Sequence, residues 1–245
     1  MPSLEAYRAE LDYAYAPGFF PAMECLLHAP QRARRVLLHS RARGTEAAEK
    51  LTALAERLNI RVEEADRALA RISGKENCYA AAVFAKEGEP PRAGKPQVLL
   101  VNPSDCGNVG TILRTALGFG VEDVALIRPC ADVWDPRTVR ASMGSLFQLR
   151  VAMYPDYEAW AEAQGPRPMY PFMLDSSRPL AEALAGEVPP DWTLVFGNEG
   201  SGLPPAYAGR GTPVRIPSND RVDSLNLSIA AGIGIHAFAQ RTGLI

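Results

Sequence analysis

Three short stretches in the second half of the chain mix glycine with Asn, Glu, Ser and Arg in spacings that suit ligand handling. The first runs from Asn102 to Ala116. Asn108 is placed to cap a helix there, and Val109, Ile112, Leu113, Ala116 and Phe119 form its apolar face. Arg114 falls nearly opposite that face, between Gly110 and Gly118. Glycines allow a backbone or ligand to come close, so Arg114 reads either as a contact to something docked there or as a plain exposed arginine. The second stretch runs from Leu194 to Pro204, an apolar strand entering a loop with Gly197, Gly200 and Gly202. Such a loop presents bare backbone N–H and C=O groups to a ligand. It lacks the Gly-Lys-Ser/Thr of a phosphate loop and the G-x-G-x-x-G of a dinucleotide site. Glu199 in its middle is a loop cap or a specific contact. The third stretch runs from Arg215 to Ala230. A strand ends at Pro217, and a helix is expected to begin at Ser224 as N-cap, with Asn226 in its first turn. Free N–H donors at that helix start can face a ligand.

Elements that alternate in type must position these stretches. Gln97–Val101 is a continuous apolar run suited to a buried parallel strand. The helix through Arg114 follows it, then strand candidates VALIR, MYPFML, TLVF and PVRIP. The last helix, from Ser224 to Arg241, is apolar on every face, which predicts burial on both sides. Its Ala230, Ala231, Gly232, Gly234 and Ala237 predict close packing, with a second subunit as one neighbour. Strand–helix alternation predicts a mostly parallel α/β sheet, and ligands of such sheets sit at the carboxyl ends of strands.

Before residue 88 the pattern differs. PAMECLLHA reads as a helix, VLLHS as a strand and IRVEEA as another strand. Between these two strands Thr45 caps an amphipathic helix with Ala48, Leu51, Leu54, Ala55 and Leu58 on one face. A short helix, DRALARIS, and a strand, CYAAAVFA, complete a small α/β/α unit. The polar, proline-rich KEGEPPRAGKP that follows is a linker. The expected division is 1–87, a linker over 88–96, and 97–245.

Composition narrows the function. With 245 residues, 47% hydrophobic and 22% charged, the chain is ordinary globular protein. No apolar run is long enough for a membrane helix, and the first residues carry no secretory core, so a cytoplasmic location is expected. Cys25, Cys78, Cys106 and Cys130 lie far apart, and His28, His39 and His236 stand alone, so no metal site is expected. The net charge of −2 carries no overall basic excess. Locally, however, Cys25–Thr45 holds Arg32, Arg34, Arg35, Arg41 and Arg43 and no acid. That cluster reads either as phosphate contacts or as a solvated face.

Taken in order, the three stretches resemble the three signature motifs of the SpoU/TrmH branch of SPOUT methyltransferases. Asn108, Gly110, Arg114 and Ala116 match the first, Gly197 through Gly202 the second, and Ile216, Pro217, Ser224, Leu225, Asn226 and Ala230 the third. Ala141–Phe147 is similar to a segment the family carries between motifs one and two. Cys106-Gly107 stands where many members have Asp-Pro-x. The first 87 residues are more loosely similar to the ribosomal-protein-like substrate-binding domain that precedes the catalytic domain in many members.

The resemblance implies an S-adenosylmethionine-dependent enzyme that methylates a ribose 2′-hydroxyl in RNA, ribosomal RNA before tRNA. It also implies a trefoil knot in the C-terminal part and a homodimer with active sites at the subunit interface. By that analogy Gly197, Ile216 and Leu225 contact the cofactor, Asn198, Glu199 and Gly200 shape its loop, and Asn226 also touches it. Arg114 acts at the ribose hydroxyl, with Asn108, Glu199, Ser224 and Asn226 beside it. Arginine stays protonated and is a poor base, so either Arg114 or an RNA phosphate that it holds takes the proton. Two other classes are open: an RNA-binding module without catalysis, and a small-molecule enzyme using GNEGSG for phosphate.

Overall fold

The computed structural model describes residues 4–73, 78–175, 177–219 and 221–245. In chain order the elements are β1 (Tyr13–Pro17), α1 (Phe19–His28), β2 (Ala33–Leu38), α2 (Glu46–Arg57), β3 (Arg61–Glu64), α3 (Asp66–Ser73) and β4 (Ala80–Ala85). The series continues with β5 (Gln97–Val101), α4 (Cys106–Gly118), β6 (Asp123–Ile127), α5 (Pro136–Ala141) and β7 (Arg150–Tyr154). Then come α6 (Tyr157–Gln164), β8 (Met169–Pro171), β9 (Arg178–Pro179), α7 (Leu180–Ala183), β10 (Thr193–Phe196), β11 (Val214–Arg215) and α8 (Leu227–Thr242). No helix among the described residues is long and apolar enough to cross a membrane.

The chain forms two compact units, Met1–Glu87 with Asp132–Gln148, and Gly88–Ala131 with Leu149–Ile245. The first holds a four-stranded sheet in the order β1-β4-β2-β3, with β4 antiparallel to both neighbours and β2 parallel to β3. Thr45 caps α2 by accepting the Ala48 N–H at 3.3 Å, and Ala48, Leu51, Leu54 and Ala55 are its buried face. Tyr15, Leu37, Leu69, Ala81 and Val83 pack together into one core cluster of this unit. The sequence reading placed Asp132–Gln148 in the second domain. Arg32 shows why this segment joins the first unit. Its guanidinium lies 5.3 Å from the ring centre of Phe84, 4.9 Å from Trp134 and 5.7 Å from Phe147, and its Nε donates to the Ala85 carbonyl at 3.2 Å. Cation–π attraction in a desolvated cage ties the segment down. Arg32 is buried, 8% exposed. It is therefore a core residue and leaves the set of surface phosphate contacts expected from sequence.

The second unit is a five-stranded parallel sheet in the order β7-β6-β5-β10-β8. From β5 the chain moves outward through β6 to β7. It then crosses to the far edge at β8 and returns to insert β10 beside β5. The order reverses between β5 and β10, and a crevice opens at such a switch point outside the carboxyl ends. The segments after β5 and β10 are the first two of the three singled-out stretches.

The linker is not loose. Arg92 donates to the Asp123 carboxylate through its backbone N–H at 2.7 Å and its Nη2 at 2.7 Å, and reaches Glu122 at 2.7 Å. Asp123 is 1% exposed, and Arg150 Nε stands 3.9 Å away. Removing one partner of a buried pair leaves an uncompensated charge. Arg92→Ala is expected to lower stability by about 3 kcal/mol in urea denaturation. A loss below about 0.5 kcal/mol, the usual range of a neutral surface change, would show that Arg150 compensates Asp123 alone.

Candidate active site

The loop after β10 is built by its own side chains. Asn198 and Gly202 exchange backbone hydrogen bonds, Asn198 N–H to Gly202 O at 3.2 Å and the reverse at 3.0 Å. Inside this turn Asn198 Oδ1 accepts the N–H of Gly200 at 2.9 Å and of Ser201 at 3.2 Å. Its Nδ2 donates to the Asn102 carbonyl at 2.9 Å, across to the segment after β5. Gly202 sits at φ +68°, a region that glycine enters without steric cost. A Cβ on Gly197 would lie 2.2 Å from the Gly202 carbonyl carbon and 2.3 Å from Leu203 N. The tight return of the chain thus admits only glycine at 197.

Glu199 clamps the two loops together. Its carboxylate accepts from Ser104 N–H at 2.9 Å, Ser104 Oγ at 2.7 Å, Asp105 N–H at 3.0 Å and Asn108 Nδ2 at 3.2 Å. Burial opposes its ionisation. The hydrogen bonds, led by those from the Ser104 backbone and side chain, outweigh burial and hold its pKa at about 2. Because the folded value is depressed, the clamp's stabilisation is complete above the ordinary value of 4.5 and is lost as pH falls towards 2. The stability difference between the parent and Glu199→Gln, measured by urea denaturation, is therefore expected to be constant near neutrality and to shrink below about pH 4.5. A difference that does not change with pH would contradict the clamp.

Helix caps complete the arrangement, at positions that correct the sequence reading. Asp105, not Asn108, caps α4, its Oδ1 accepting the Asn108 N–H at 2.7 Å. Asn226, not Ser224, caps α8, accepting Ser228 N–H at 2.9 Å and Ile229 N–H at 3.3 Å. Both helices start two or three residues away from the expected cap, and the Asn108 side chain is taken up by Glu199 and Asn226 instead. Freed from capping, Asn108 bridges the motifs. Its Nδ2 donates to Glu199, and its Oδ1 accepts Asn226 Nδ2 at 3.1 Å. The line Ser104–Glu199–Asn108–Asn226 joins all three stretches.

Beside this line lies a cavity of about 610 Å³, lined by Phe172, Phe196, the 197–203 loop, Arg215, Ile216, Asp223, Ser224 and Leu225 among others. Gly197, Asn198, Glu199, Gly200, Ile216, Ser224 and Leu225 line it. Asn108, Arg114 and Asn226 are not among its lining residues. Phe172 and Phe196 stack with ring centres 4.4 Å apart at 27°. Phe172 packs so closely on α8 that a Cβ on Gly234 would lie 2.5 Å from its ring, which explains the small residue there. Nothing in the sequence pattern pointed to this aromatic floor or to Ser104. Asp105 is recognisable in hindsight as an Asx residue one position before the helix. Arg114 is exposed on α4 and makes no hydrogen bond or ion pair among the described residues. Of the other basic positions, Arg34 pairs with Asp12 at 2.8 Å, Arg35 with Glu63 at 2.9 Å and Arg43 with Glu64 at 2.6 Å. Arg41 is exposed and makes no side-chain hydrogen bond or ion pair among the described residues, though its charge acts on Asp66.

The fold is a parallel α/β sheet with a cavity beyond the carboxyl ends of β8 and β10. The model of the SpoU rRNA Methylase family matches residues 95–236, more than half of the chain, and the chain belongs to that family. Among curated relatives, it is 36% identical over 148 residues to the 23S rRNA (adenosine(1067)-2'-O)-methyltransferase of Streptomyces laurentii, covering 59% of this chain and 54% of that protein. It is 31% identical over 144 residues to the 23S rRNA (guanosine(2553)-2'-O)-methyltransferase RlmP of Bacillus subtilis, covering 57% and 56%. The chain thus spans about half the length of these relatives. Likeness to solved structures extends further. An AdoMet-bound rRNA methyltransferase from Sinorhizobium meliloti aligns with TM-score 0.76 at 26% identity, over 94% of this chain and 87% of that one.

Proposed function

We propose that this protein transfers a methyl group from S-adenosylmethionine to a ribose 2′-hydroxyl of RNA, with ribosomal RNA as the substrate class. The observation that carries the reading is the hydrogen-bonded line from Ser104 through Glu199 and Asn108 to Asn226. It holds three otherwise separate motifs at the rim of one cavity.

The cavity fits the cofactor. Its volume lies within the range of small-molecule sites. Gly197 lets the 198–202 turn close tightly at the cavity wall, and the loop around Gly200 and Gly202 exposes backbone polar groups. Gly197, Ile216 and Leu225 would hold the cofactor, and the Asn198 and Glu199 clamps keep the loop shaped for it. Once bound, S-adenosylmethionine supplies an already activated methyl group. What remains for the chain is to align the ribose oxygen and organise removal of its proton. Arg114 stays charged and serves by gripping an RNA phosphate beside the hydroxyl, leaving that phosphate as the proton acceptor.

Arg114 lies outside the cavity lining, exposed on α4, and α8, which packs on α4, exposes Ile229 and Ile233. This arrangement supports a homodimer in which Arg114 of one copy serves the cavity of the other. The trefoil knot belongs to the same reading. It is supported by the close passage at Gly211, where a Cβ would lie 2.2 Å from the Met169 carbonyl oxygen. The first unit is read as the RNA-holding domain over 1–87, with Arg34, Arg35, Arg41 and Arg43 as phosphate contacts, and the location as cytoplasmic.

A tRNA substrate is the second reading. A solved structure described as concerned with 2-OH methylation of C/U34 on tRNA aligns with TM-score 0.54 at 28% identity. It corresponds to only 61% of this chain, whereas the AdoMet-bound rRNA methyltransferase corresponds to 94%. That difference favours rRNA. Radiolabelled S-adenosylmethionine and total RNA from cells lacking the gene separate the two. Label in an rRNA fraction is the expected result. Label confined to tRNA would overturn the preference.

A further inference from the structure

The four-stranded sheet gathers a second set of chemically distinct side chains at one end. The chain leaves β1 at Pro17 and β2 at Leu38, and it enters β4 at Ala80. Residues 18–21, 39–41 and 78–79 therefore meet there. A cleft of about 350 Å³ opens at this end, with Phe20, Cys78, Arg140 and Met143 in its wall. Phe20 is 53% exposed, a large aromatic face left in solvent at the mouth. Arg140 lies against the Cys78 thiol and pairs with no carboxylate among the described residues. Among the described residues, no Asp or Glu lines the cleft.

The wall is rigidly placed. Gly144, at φ +79°, lets the turn after α5 press on α1 so closely that a Cβ there would lie 2.5 Å from Glu24 Cβ. Beyond the cleft Tyr79 is 37% exposed, edge-on to His39 at 5.6 Å, and Arg41 is exposed, with its charge acting on Asp66. Among the described residues at this end, Asp66 is engaged by Ser40 and Glu64 by Arg43.

A solvent-facing aromatic ring beside an unneutralised guanidinium matches a base that has left its stack, together with its phosphate. The cleft is at the small end of ligand sites, so it suits one nucleotide and not a helix. We propose that it receives a single unstacked nucleotide of the RNA substrate, its base on Phe20 and its phosphate on Arg140, with Tyr79 and Arg41 continuing the track. This rests on the reading of the protein as an RNA enzyme.

The test measures fluorescence anisotropy of the full chain with a short fluorescein-labelled single-stranded RNA, and with the same strand annealed to its complement. The parent is expected to prefer the single strand. Phe20→Ala should weaken that binding about tenfold, the low end of one lost stacking contact, and Phe20→Trp should retain it. Arg140→Gln should weaken it with a salt dependence shallower by about 0.7 in log–log slope, one phosphate contact on a single strand. A merely structural role would not move that slope. If both variants bind as the parent does while the parent methylates RNA, the cleft proposal falls and the enzyme reading stands. A parent that neither binds nor methylates any RNA overturns both.

Discussion

Arg114→Ala is expected to lower methyl transfer into RNA by about 10²–10⁴-fold, the range spanned by loss of one positioned catalytic group. Cofactor affinity should stay unchanged, because Arg114 is absent from the cavity lining. Stability should move by less than about 0.5 kcal/mol, as for other exposed substitutions. The same variant tests the trans arrangement. Mixed with a second inactive variant that is damaged only in the cavity, it should regain a fraction of the activity, since one of the two shared sites would then hold an intact Arg114 and an intact cavity. Arg114→Ala that still transfers methyl at the parent rate would remove it from the mechanism. Absence of complementation in mixed dimers would place Arg114 in its own subunit's site.

The second large effect is expected at Gly197. The added methyl of Gly197→Ala meets backbone atoms of Gly202 and Leu203 at 2.2 and 2.3 Å, and backbone cannot rotate aside as a side chain can. The return of the 198–202 turn must open, carrying Glu199 away from Ser104 and Asp105. Overpacking of this kind costs about 3 kcal/mol in stability. Affinity for S-adenosylmethionine should fall about 100-fold or more, the equivalent of about 2.7 kcal/mol, read by calorimetric titration. Gly200→Ala is the control. Its nearest neighbour would be Asn198 Oδ1 at 3.5 Å, ordinary contact, so the fold should hold. Equal cofactor binding by Gly197→Ala and the parent would mean that the turn is not what shapes the cavity.

Most of the parallel sheet was legible because its inner strands are apolar runs with nothing else to be, while the half-exposed edge strand β7 was missed. Gln97–Val101 and Thr193–Phe196 match their expected spans. The amphipathic α2 and its Thr45 cap were equally plain. What failed did so for identifiable reasons. Tyr13–Pro17 alternates aromatic and alanine in a pattern too short to separate from a loop, and its burial comes from pairing with Ala81–Ala85 across the chain. Asn108 and Ser224 both have good capping chemistry. Only the tertiary arrangement shows that Asp105 and Asn226 take the caps and that Asn108 joins Glu199 to Asn226. Arg32 sat in an arginine-rich run that looked like a surface, while its partners Trp134 and Phe147 lie about a hundred residues downstream. The motif glycines were readable as glycines, but the distinction between Gly197, which admits no Cβ, and Gly200, which does, is a property of the folded turn.

The central claim is chemical: a methyl group goes to a ribose oxygen and not to a base. Nucleoside mass spectrometry on RNA treated with the protein and S-adenosylmethionine tests it most directly, with Arg114→Ala treated in parallel. The account predicts one 2′-O-methylated nucleoside, its mass gain on the sugar, the adjacent phosphodiester resistant to alkali, and no such product from the variant. A methyl group found on the base, with the backbone still cleaved by alkali at that position, would contradict it.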